Sequence, residues 1–210
     1  MGLAALLFTH PFLFLILAVL LLYSVIAHEV AHGWVANRFG DDTAQRYGRL
    51  TLNPASHLDP LGTLRLFRGG FGWAKPVPVD FSRLRGARWG FVSVALAGCV
   101  TNIVIAAVAL MLLQTDAVAG RPFFVLLLGI LARINIILGA FNLIPIPPLD
   151  GSKILFSVLP PAGRQLFRQL EPYGFFILIA LLYTGMLNPV IAAMQRLIYA
   201  AIALLTGGRG

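Results

Sequence analysis

Long apolar runs separated by short polar stretches form the dominant pattern along this chain. Three nearly unbroken runs occupy residues 11–27, 90–113 and 122–144, and a weaker one, residues 174–206, is interrupted by an Asn-Pro pair. A helix needs roughly 20 apolar residues to cross about 30 Å of hydrocarbon, so the runs predict transmembrane helices. The interruption leaves two interpretations of the last run: one kinked helix, or a span followed by a segment at the membrane surface.

Turn-forming and capping residues predict where individual elements begin and end. The first helix is expected to begin at Pro11, which suits a first-turn position, and to run to about Asn37 before Gly40 stops it. A short helix is expected to begin at Asp150 and to cover GSKILFSVL. Between them, the alternation and the prolines of GFGWAKPVPV, residues 70–79, favour a short extended strand or hairpin over a helix.

The composition indicates a membrane protein. Of the 210 residues, 59% are hydrophobic and 11% are charged, and the mean hydropathy of +0.85 lies far outside the range of ordinary soluble domains. We therefore expect an all-α integral membrane protein, a polytopic helical bundle of about four to five transmembrane helices with a short β-like loop or hairpin. Residues 1–210 are expected to form a single membrane-embedded domain. The first run lacks the basic start and the cleavage pattern of a signal peptide, so we expect the mature chain to retain it.

The formal net charge of +8 is concentrated between the predicted helices. The segment from Arg38 to Arg88 carries eight arginines and one lysine against four aspartates. Such an excess is typical of cytoplasmic loops, so we expect this loop inside, and the N-terminus and the turn at residues 114–122 outside. Nucleic-acid binding is not expected, because no aromatic platform accompanies the arginines. The expected surroundings are the lipid bilayer.

The sequence HEVAH, residues 28–32, places candidate metal ligands at the end of the first predicted span. His28 and His32 are about one helical turn apart on one face, which suits two imidazoles binding one Zn²⁺. Glu29 lies beside them, where a general base can take a proton from water. The alternatives are chance occurrence, or histidines that only hydrogen-bond between helices. Such groups are expensive in lipid unless they have a partner or a function, which favours the metal interpretation.

Helix geometry also predicts the depth of this site. His28 lies about 25 Å along a helix that begins at Pro11 and crosses about 30 Å of hydrocarbon. An untilted helix therefore places the metal within the cytoplasmic half of the bilayer. Water must reach it there.

A third protein ligand is expected, because a catalytic zinc normally has three and keeps one open position. The downstream glycine and histidine of metzincins are absent, since Val35 stands where the glycine would be. Candidates on the same membrane side are His57, Asp59, Asp80 and Asp150. Topology favours Asp150, because FNLIPIPPLDG follows a helix that descends to the same side and its prolines keep the backbone irregular. The alternative is that Asp150 caps the next helix, although a carboxylate can do both.

Four motifs in this order resemble the site-2 protease family of intramembrane zinc metalloproteases. HEVAH is similar to the first family motif, and NLIPIPPLDG, residues 142–151, is similar to the second. GRLTLNPASHLDPLGT, residues 48–63, and GFGWAKPVPV resemble the compact bacterial members that lack PDZ and CBS domains. The resemblance extends over about residues 24–185. It implies that His28, His32 and Asp150 bind one zinc ion per chain and that Glu29 is the general base.

Two further polar residues are candidates for the site. The family often has Ala-Gly-Pro-x-x-Asn on its second helix, and the corresponding residues here are AGCVTN, with Cys99 in place of the proline. The resemblance implies that Asn102 hydrogen-bonds the substrate or the oxyanion, and the alternative is a polar residue that joins two helices. His57, in the basic loop, is either a gate or auxiliary ligand, or an ordinary loop histidine.

The expected activity is hydrolysis of peptide bonds in transmembrane or membrane-proximal segments of protein substrates. We expect a bacterial inner-membrane enzyme with its active site toward the cytoplasm. The alternative is a zinc-binding membrane protein without hydrolysis, either a transporter or an inactive substrate-binding relative. A transporter would need ligands near the midplane and often a repeated half, and neither is evident. Glu29 argues against an inactive relative.

Overall fold

Helices form nearly all of the regular structure. In this computed structural model, residues 3–57 and 76–205 are described. No strand occurs within these two stretches. The α-helices in them are α1 (Leu3–Thr9), α2 (Pro11–Arg38), α3 (Thr43–Arg46), α4 (Ala87–Leu113), α5 (Asp116–Ala119), α6 (Pro122–Asn142), α7 (Asp150–Val158), α8 (Pro161–Leu170), α9 (Gly174–Tyr183) and α10 (Asn188–Leu205).

Four helical segments of the described chain are long and apolar enough to cross a membrane. They are Pro11–Arg38, Arg88–Leu113, Pro122–Asn142 and Pro161–Tyr183, and the apolar helix at Asn188–Leu204 is shorter. The expected all-α polytopic membrane bundle is confirmed. The helix predicted from Pro11 to about Asn37 is also confirmed, and His10 separates it from a short preceding helix, α1.

Helix α4 is the centre of the bundle and packs against α2, α6 and α7. Its buried face is rich in alanine, including Ala95, Ala106 and Ala109. Small side chains allow membrane helices to approach closely, and close approach is the main source of packing energy between helices in lipid. This face of α4 therefore brings α2 and α7, which are far apart in the sequence, to the same place.

The last apolar run folds as two helices. Helix α9 ends at Tyr183 and α10 begins at Asn188, with Gly185 in the left-handed region (φ 73°) between them. Ile198 and Ile202 of α10 pack into a buried apolar cluster with residues of α4 and α6. Helix α10 therefore belongs to the bundle along part of its length, and the predicted break is confirmed.

The predicted hairpin lies partly outside the described residues, which begin again at residue 76. Residues 76–80 have irregular backbone instead of a strand. Pro76 and Pro78 have no N–H group to contribute to a strand ladder, which explains the difference. This segment is held instead by carboxylates of α2 and of the turn after it: the Val77 N–H donates to Glu29 Oε2 over 3.0 Å, and the Asp80 N–H donates to Asp41 Oδ2 over 2.7 Å.

Candidate metal centre

Two histidines and an aspartate meet in a buried group at the C-terminal half of α2. His28 and His32 stand one turn apart on α2, and Asp150 is the first residue of α7. The Nε2 atoms of the two histidines are 3.1 Å apart, and each lies 3.0 Å from Asp150 Oδ2. Within the described residues, this is the group of histidine, cysteine and acidic side chains that could hold a metal ion.

Tight packing of the LDG sequence places Asp150. A Cβ atom on Gly151 would lie 2.2 Å from the carbonyl oxygen of Leu143, so only glycine allows α7 to begin against this loop. The N-cap position of α7 belongs to Leu149, and Asp150 is the first helical residue. Its Oδ2 atom faces the histidines, and its Oδ1 atom accepts a hydrogen bond from Lys153 Nζ over 2.8 Å.

The second ring nitrogen of each histidine faces an oxygen acceptor. His32 Nδ1 lies 2.7 Å from the Val94 carbonyl oxygen, and His28 Nδ1 lies 2.6 Å from Asn102 Oδ1. A carbonyl oxygen only accepts hydrogen bonds, so each Nδ1 carries the hydrogen. In the neutral rings, both Nε2 atoms then present lone pairs, as metal-binding histidines do.

This donor set fits a divalent cation. Two Nε2 lone pairs and a carboxylate oxygen converge with separations of 3.0–3.1 Å, and three acceptors so close repel one another unless a cation lies among them. Tetrahedral zinc with bonds of about 2.0–2.1 Å would hold its donors roughly 3.3 Å apart, close to the observed spacing. The residues present therefore fit zinc.

The charge state of Asp150 suits a metal ligand. The Lys153 ammonium, 2.8 Å from Asp150 Oδ1, favours the charged form of this buried carboxyl. The carboxylate is therefore ionised, and it brings one negative charge to two neutral imidazoles.

Gly98 of α4 forms the wall of this centre. A Cβ atom at this position would lie 2.4 Å from His28 Cε1 and 2.5 Å from the Nε2 atoms of His28 and His32. Ordinary contacts between such atoms are about 3.5–4.0 Å, so any side chain here would occupy the space of the ligands. The requirement for glycine at position 98 is therefore steric and arises from the metal centre.

Glu29 is adjacent to the ligand group but outside it. Its side chain is half-buried, and Oε2 accepts the hydrogen bond from the Val77 N–H. Val77 itself is buried, and a Cβ atom on Gly33 would lie 2.7 Å from Val77 Cγ1. The glycine that follows HEVAH therefore makes room for residues 76–80 beside the carboxylate.

The other candidate ligands lie apart from the metal group. The His57 side chain is buried and its Nε2 atom bonds to the Thr51 carbonyl oxygen over 2.7 Å, while Nδ1 has no hydrogen-bond partner among the described residues. Asp80 Oδ1 accepts hydrogen bonds from the backbone N–H and hydroxyl of Ser82. Asp59 lies outside the described residues.

Asn102 is fully buried between three helices. Its Oδ1 atom faces His28, and its Nδ2 atom donates to Asn135 Oδ1 over 2.7 Å. The contact with His28 joins α4 to α2 and corresponds to the helix-joining alternative, whereas its contact with substrate stays a prediction.

Sequence reasoning did not identify three features of the site: Gly98, the Val77 N–H and Asn135. Gly98 belongs to the AGCVTN sequence in the middle of a predicted span. Glycine lowers helix stability there, so its presence is a sequence signal for a close contact. The Val77 contact had a weaker signal, the isolated N–H between two prolines. Asn135 had the signal of an amide in the middle of an apolar run.

An HExxH helix whose histidines meet an aspartate from a distant loop, inside a bundle of membrane-spanning helices, is the arrangement of intramembrane zinc metalloproteases. The sequence profile of peptidase family M50 matches residues 115–185. YwhC of Bacillus subtilis, named as a candidate zinc metalloprotease, is 40% identical over 175 residues, which cover 80% of each chain. The chain therefore belongs to peptidase family M50, the site-2 protease family. Like the family, it is a membrane-embedded zinc metalloprotease.

More distant relatives are similar over a smaller share of their length. Rip2 of Mycolicibacterium smegmatis, also named as a candidate zinc metalloprotease, is 31% identical over 172 residues, which cover 80% of this chain and 66% of Rip2. Zinc metalloprotease MJ0392 of Methanocaldococcus jannaschii is 29% identical over 146 residues, which cover 69% of this chain and 34% of that protein. No solved structure matches the chain significantly.

Proposed function

We propose that this protein hydrolyses peptide bonds within or beside the transmembrane segments of other membrane proteins. The convergence of His28, His32 and Asp150 on one point, with Glu29 adjacent, is the observation that carries the proposal. The depth of the site supports membrane-embedded substrates, because His28 lies about 25 Å along α2 from its start at Pro11. A soluble peptide would have to enter the bilayer to reach it.

In this proposal, His28, His32 and Asp150 hold the zinc ion. When bound, zinc supplies a Lewis acid that polarises the scissile carbonyl and makes water acidic enough to react near neutral pH. Two neutral imidazoles and one carboxylate leave the ion with a net positive charge, which this chemistry requires. Three protein ligands also leave an open position.

Glu29 is the general base in this proposal. Its carboxylate takes a proton from the water as the water oxygen bonds to the scissile carbonyl carbon. The protonated carboxyl then gives that proton to the nitrogen as the carbon–nitrogen bond breaks, which releases an amine. The Val77 N–H holds Oε2, so we propose that the second carboxylate oxygen takes the proton.

The substrate must be locally extended, because a helical peptide bond is shielded by its own backbone hydrogen bonds. Residues 76–80 lie beside Glu29 with irregular backbone. Prolines keep their carbonyl groups, so an unwound substrate segment can donate its N–H groups to this backbone in place of the hydrogen bonds that it lost. We therefore propose that this loop forms one wall of the substrate groove.

We also propose that the site faces the cytoplasmic side of a bacterial inner membrane. Residues 80–85 fold against the end of α2: the Arg85 N–H donates to the Phe39 carbonyl oxygen over 2.7 Å, and Arg83 pairs with Asp42 at 3.1 Å. Arg83 and Arg85 of the arginine-rich segment thus lie close to the end of α2 that carries the metal centre. An arginine excess is characteristic of the cytoplasmic side.

The direct test compares the wild-type chain with Glu29→Gln in detergent or liposomes on a transmembrane substrate. We expect zinc near one per chain in both proteins and cleavage in the wild type alone, because the amide cannot act as a base. Removal of zinc with a chelator should stop wild-type cleavage, and zinc should restore it. Normal turnover by Glu29→Gln would contradict the proposed mechanism.

A further inference from the structure

A circuit of hydrogen-bonded, buried polar side chains connects the metal centre to the core of the bundle and returns to the same helix. From His28 on α2 it passes to Asn102 on α4, to Asn135 on α6, and back to Ser24, one turn before His28 on α2. The distances are 2.6 Å, 2.7 Å and 2.9 Å, and all four side chains are buried. Polar groups at this depth are expensive unless every partner is satisfied.

The direction of every hydrogen bond in this circuit follows from one backbone carbonyl. Asn135 Nδ2 lies 2.9 Å from the Leu131 carbonyl oxygen, which can only accept. That contact fixes Asn135 with its Oδ1 atom toward Asn102, so Asn102 must donate to it through Nδ2. Asn102 Oδ1 then faces His28 and must accept from Nδ1–H.

Each histidine keeps its hydrogen on Nδ1, but the oxygen that accepts this hydrogen bond differs between the two. His32 Nδ1 faces the carbonyl oxygen of Val94, a backbone group that cannot turn over. His28 Nδ1 faces a side-chain amide, whose oxygen and nitrogen can exchange places by rotation about one bond. A flipped Asn102 would donate to Nδ1, place the hydrogen of the ring on Nε2, and remove the lone pair that faces Asp150.

We propose that Asn135, acting through Asn102, is a positioning residue that holds His28 in the metal-binding tautomer. This inference rests on the metal centre of the proposed function and concerns how one of its ligands is set. Partners of this kind, which orient a metal-binding histidine, typically contribute 10- to 100-fold to metal affinity. A residue that only joins helices would leave the affinity for zinc unchanged in the folded protein.

The test measures zinc affinity by competition with a chromophoric chelator in one detergent. The wild type is compared with Asn102→Leu, Asn102→Asp and Asn135→Leu, and Thr101→Val serves as a control that removes a neighbouring polar group from α4. Asn102→Leu removes the acceptor of His28 Nδ1–H, and we expect affinity to fall about 10- to 100-fold. Asn135→Leu frees the amide to flip, so we expect a loss of about 10-fold.

Asn102→Asp separates the orienting role from a helix-joining role. A carboxylate still accepts from His28 Nδ1–H, but an ionised one cannot donate to Asn135. We expect this variant to retain affinity within a few fold of the wild type. If Asn102→Asp binds zinc as weakly as Asn102→Leu, or if either leucine variant binds as tightly as the wild type, the proposal is wrong.

Two further measurements separate this inference from the metal centre itself. If the wild type binds no zinc, or if His28→Ala binds it equally well, the proposed centre fails. If those controls behave as expected and the asparagine variants do not, this inference alone fails. Because a leucine variant can lose its fold, ¹⁵N-histidine NMR of the wild-type protein gives an independent test: His28 Nδ1 should carry the hydrogen, and an unprotonated Nδ1 would contradict the proposal.

Discussion

Gly98 stands so close to His28 that a methyl group on its α-carbon would lie 2.4 Å from the imidazole Cε1 atom. The same methyl would lie 2.5 Å from the Nε2 atoms of both histidines. Helix α4 thus packs directly against α2 where His28 and His32 converge. A glycine that appears in the sequence as a helix-weakening residue is a steric requirement of the metal centre.

Gly98→Ala should therefore lose zinc while the helices still form. The added methyl must displace the imidazoles by about 1 Å to reach ordinary contact distance, and displacement of this size can reduce catalysis about 100-fold. We expect zinc per purified chain to fall well below that of the wild type and cleavage to be lost. Gly129→Ala on α6 is the matched control, because its methyl would meet no atom within 4 Å. Full zinc in Gly98→Ala would show that α4 can move away.

Val77→Pro should impair catalysis while zinc stays bound. The substitution removes the N–H that donates to Glu29 Oε2 over 3.0 Å, leaving the general base without this restraint. We expect kcat to fall about 10-fold or more, within the range that general-base catalysis contributes. Val77→Ala keeps the N–H and loses only the packing of the side chain, so it is the control. Equal rates for Val77→Pro and Val77→Ala would exclude a role for this N–H.

Much of the fold follows from the hydrophobic pattern, because lipid imposes a simple length rule on helices. The predicted start of the first helix at Pro11 and of α7 at Asp150 agree with the structure. The alternation and the prolines of residues 70–79 favour a strand or hairpin, but the described part of this segment, from residue 76 on, forms no strand. At residues 76–80, the irregular backbone is satisfied instead by carboxylates of α2 and of the turn after it, and no local pattern encodes such partners.

The metal group was accessible from sequence because two of its members share a helix and the third follows a recognisable break. The surrounding contacts were not, because they join residues far apart in the chain. Asn102 is 74 residues from His28 and 33 from Asn135. The rotation of three helices about their axes decides which neighbour each polar atom contacts. The hydrophobic pattern of a helix in lipid does not determine this rotation.

Cysteine labelling tests the proposed sidedness. In a Cys99→Ser background, Ser82→Cys introduces a thiol at an exposed position of the basic segment. A membrane-impermeant reagent added to intact cells should not label it, because we expect this segment in the cytoplasm. Ala119→Cys, exposed in the turn between α4 and α6, is the positive control and should react. Labelling of Ser82→Cys without labelling of Ala119→Cys would show that the chain has the opposite orientation in the membrane.

Asp150→Asn separates the two roles that the sequence leaves open, metal ligand and helix cap. Asparagine caps a helix about as well as aspartate, so a capping role alone predicts a loss of at most a few tenths of a kcal/mol and normal activity. The ligand role predicts a large loss, because a neutral amide is a poor zinc donor and the divalent ion would keep only two neutral imidazoles. Oδ2 of Asp150 lies 3.0 Å from both histidines, which supports the ligand role.

Zinc per purified chain and cleavage rate, measured in one detergent for wild type, His32→Ala, Asp150→Asn and Asp80→Asn, decide between these roles. Asp80→Asn is the matched control, because it makes the same chemical change at an acidic residue whose carboxylate bonds to Ser82. We expect His32→Ala and Asp150→Asn to lose both zinc and activity, and Asp80→Asn to keep both. If Asp150→Asn retained full zinc and full proteolysis while His32→Ala lost them, the third ligand would lie elsewhere. His57, buried with one ring nitrogen unpartnered among the described residues, would then be the residue to substitute next.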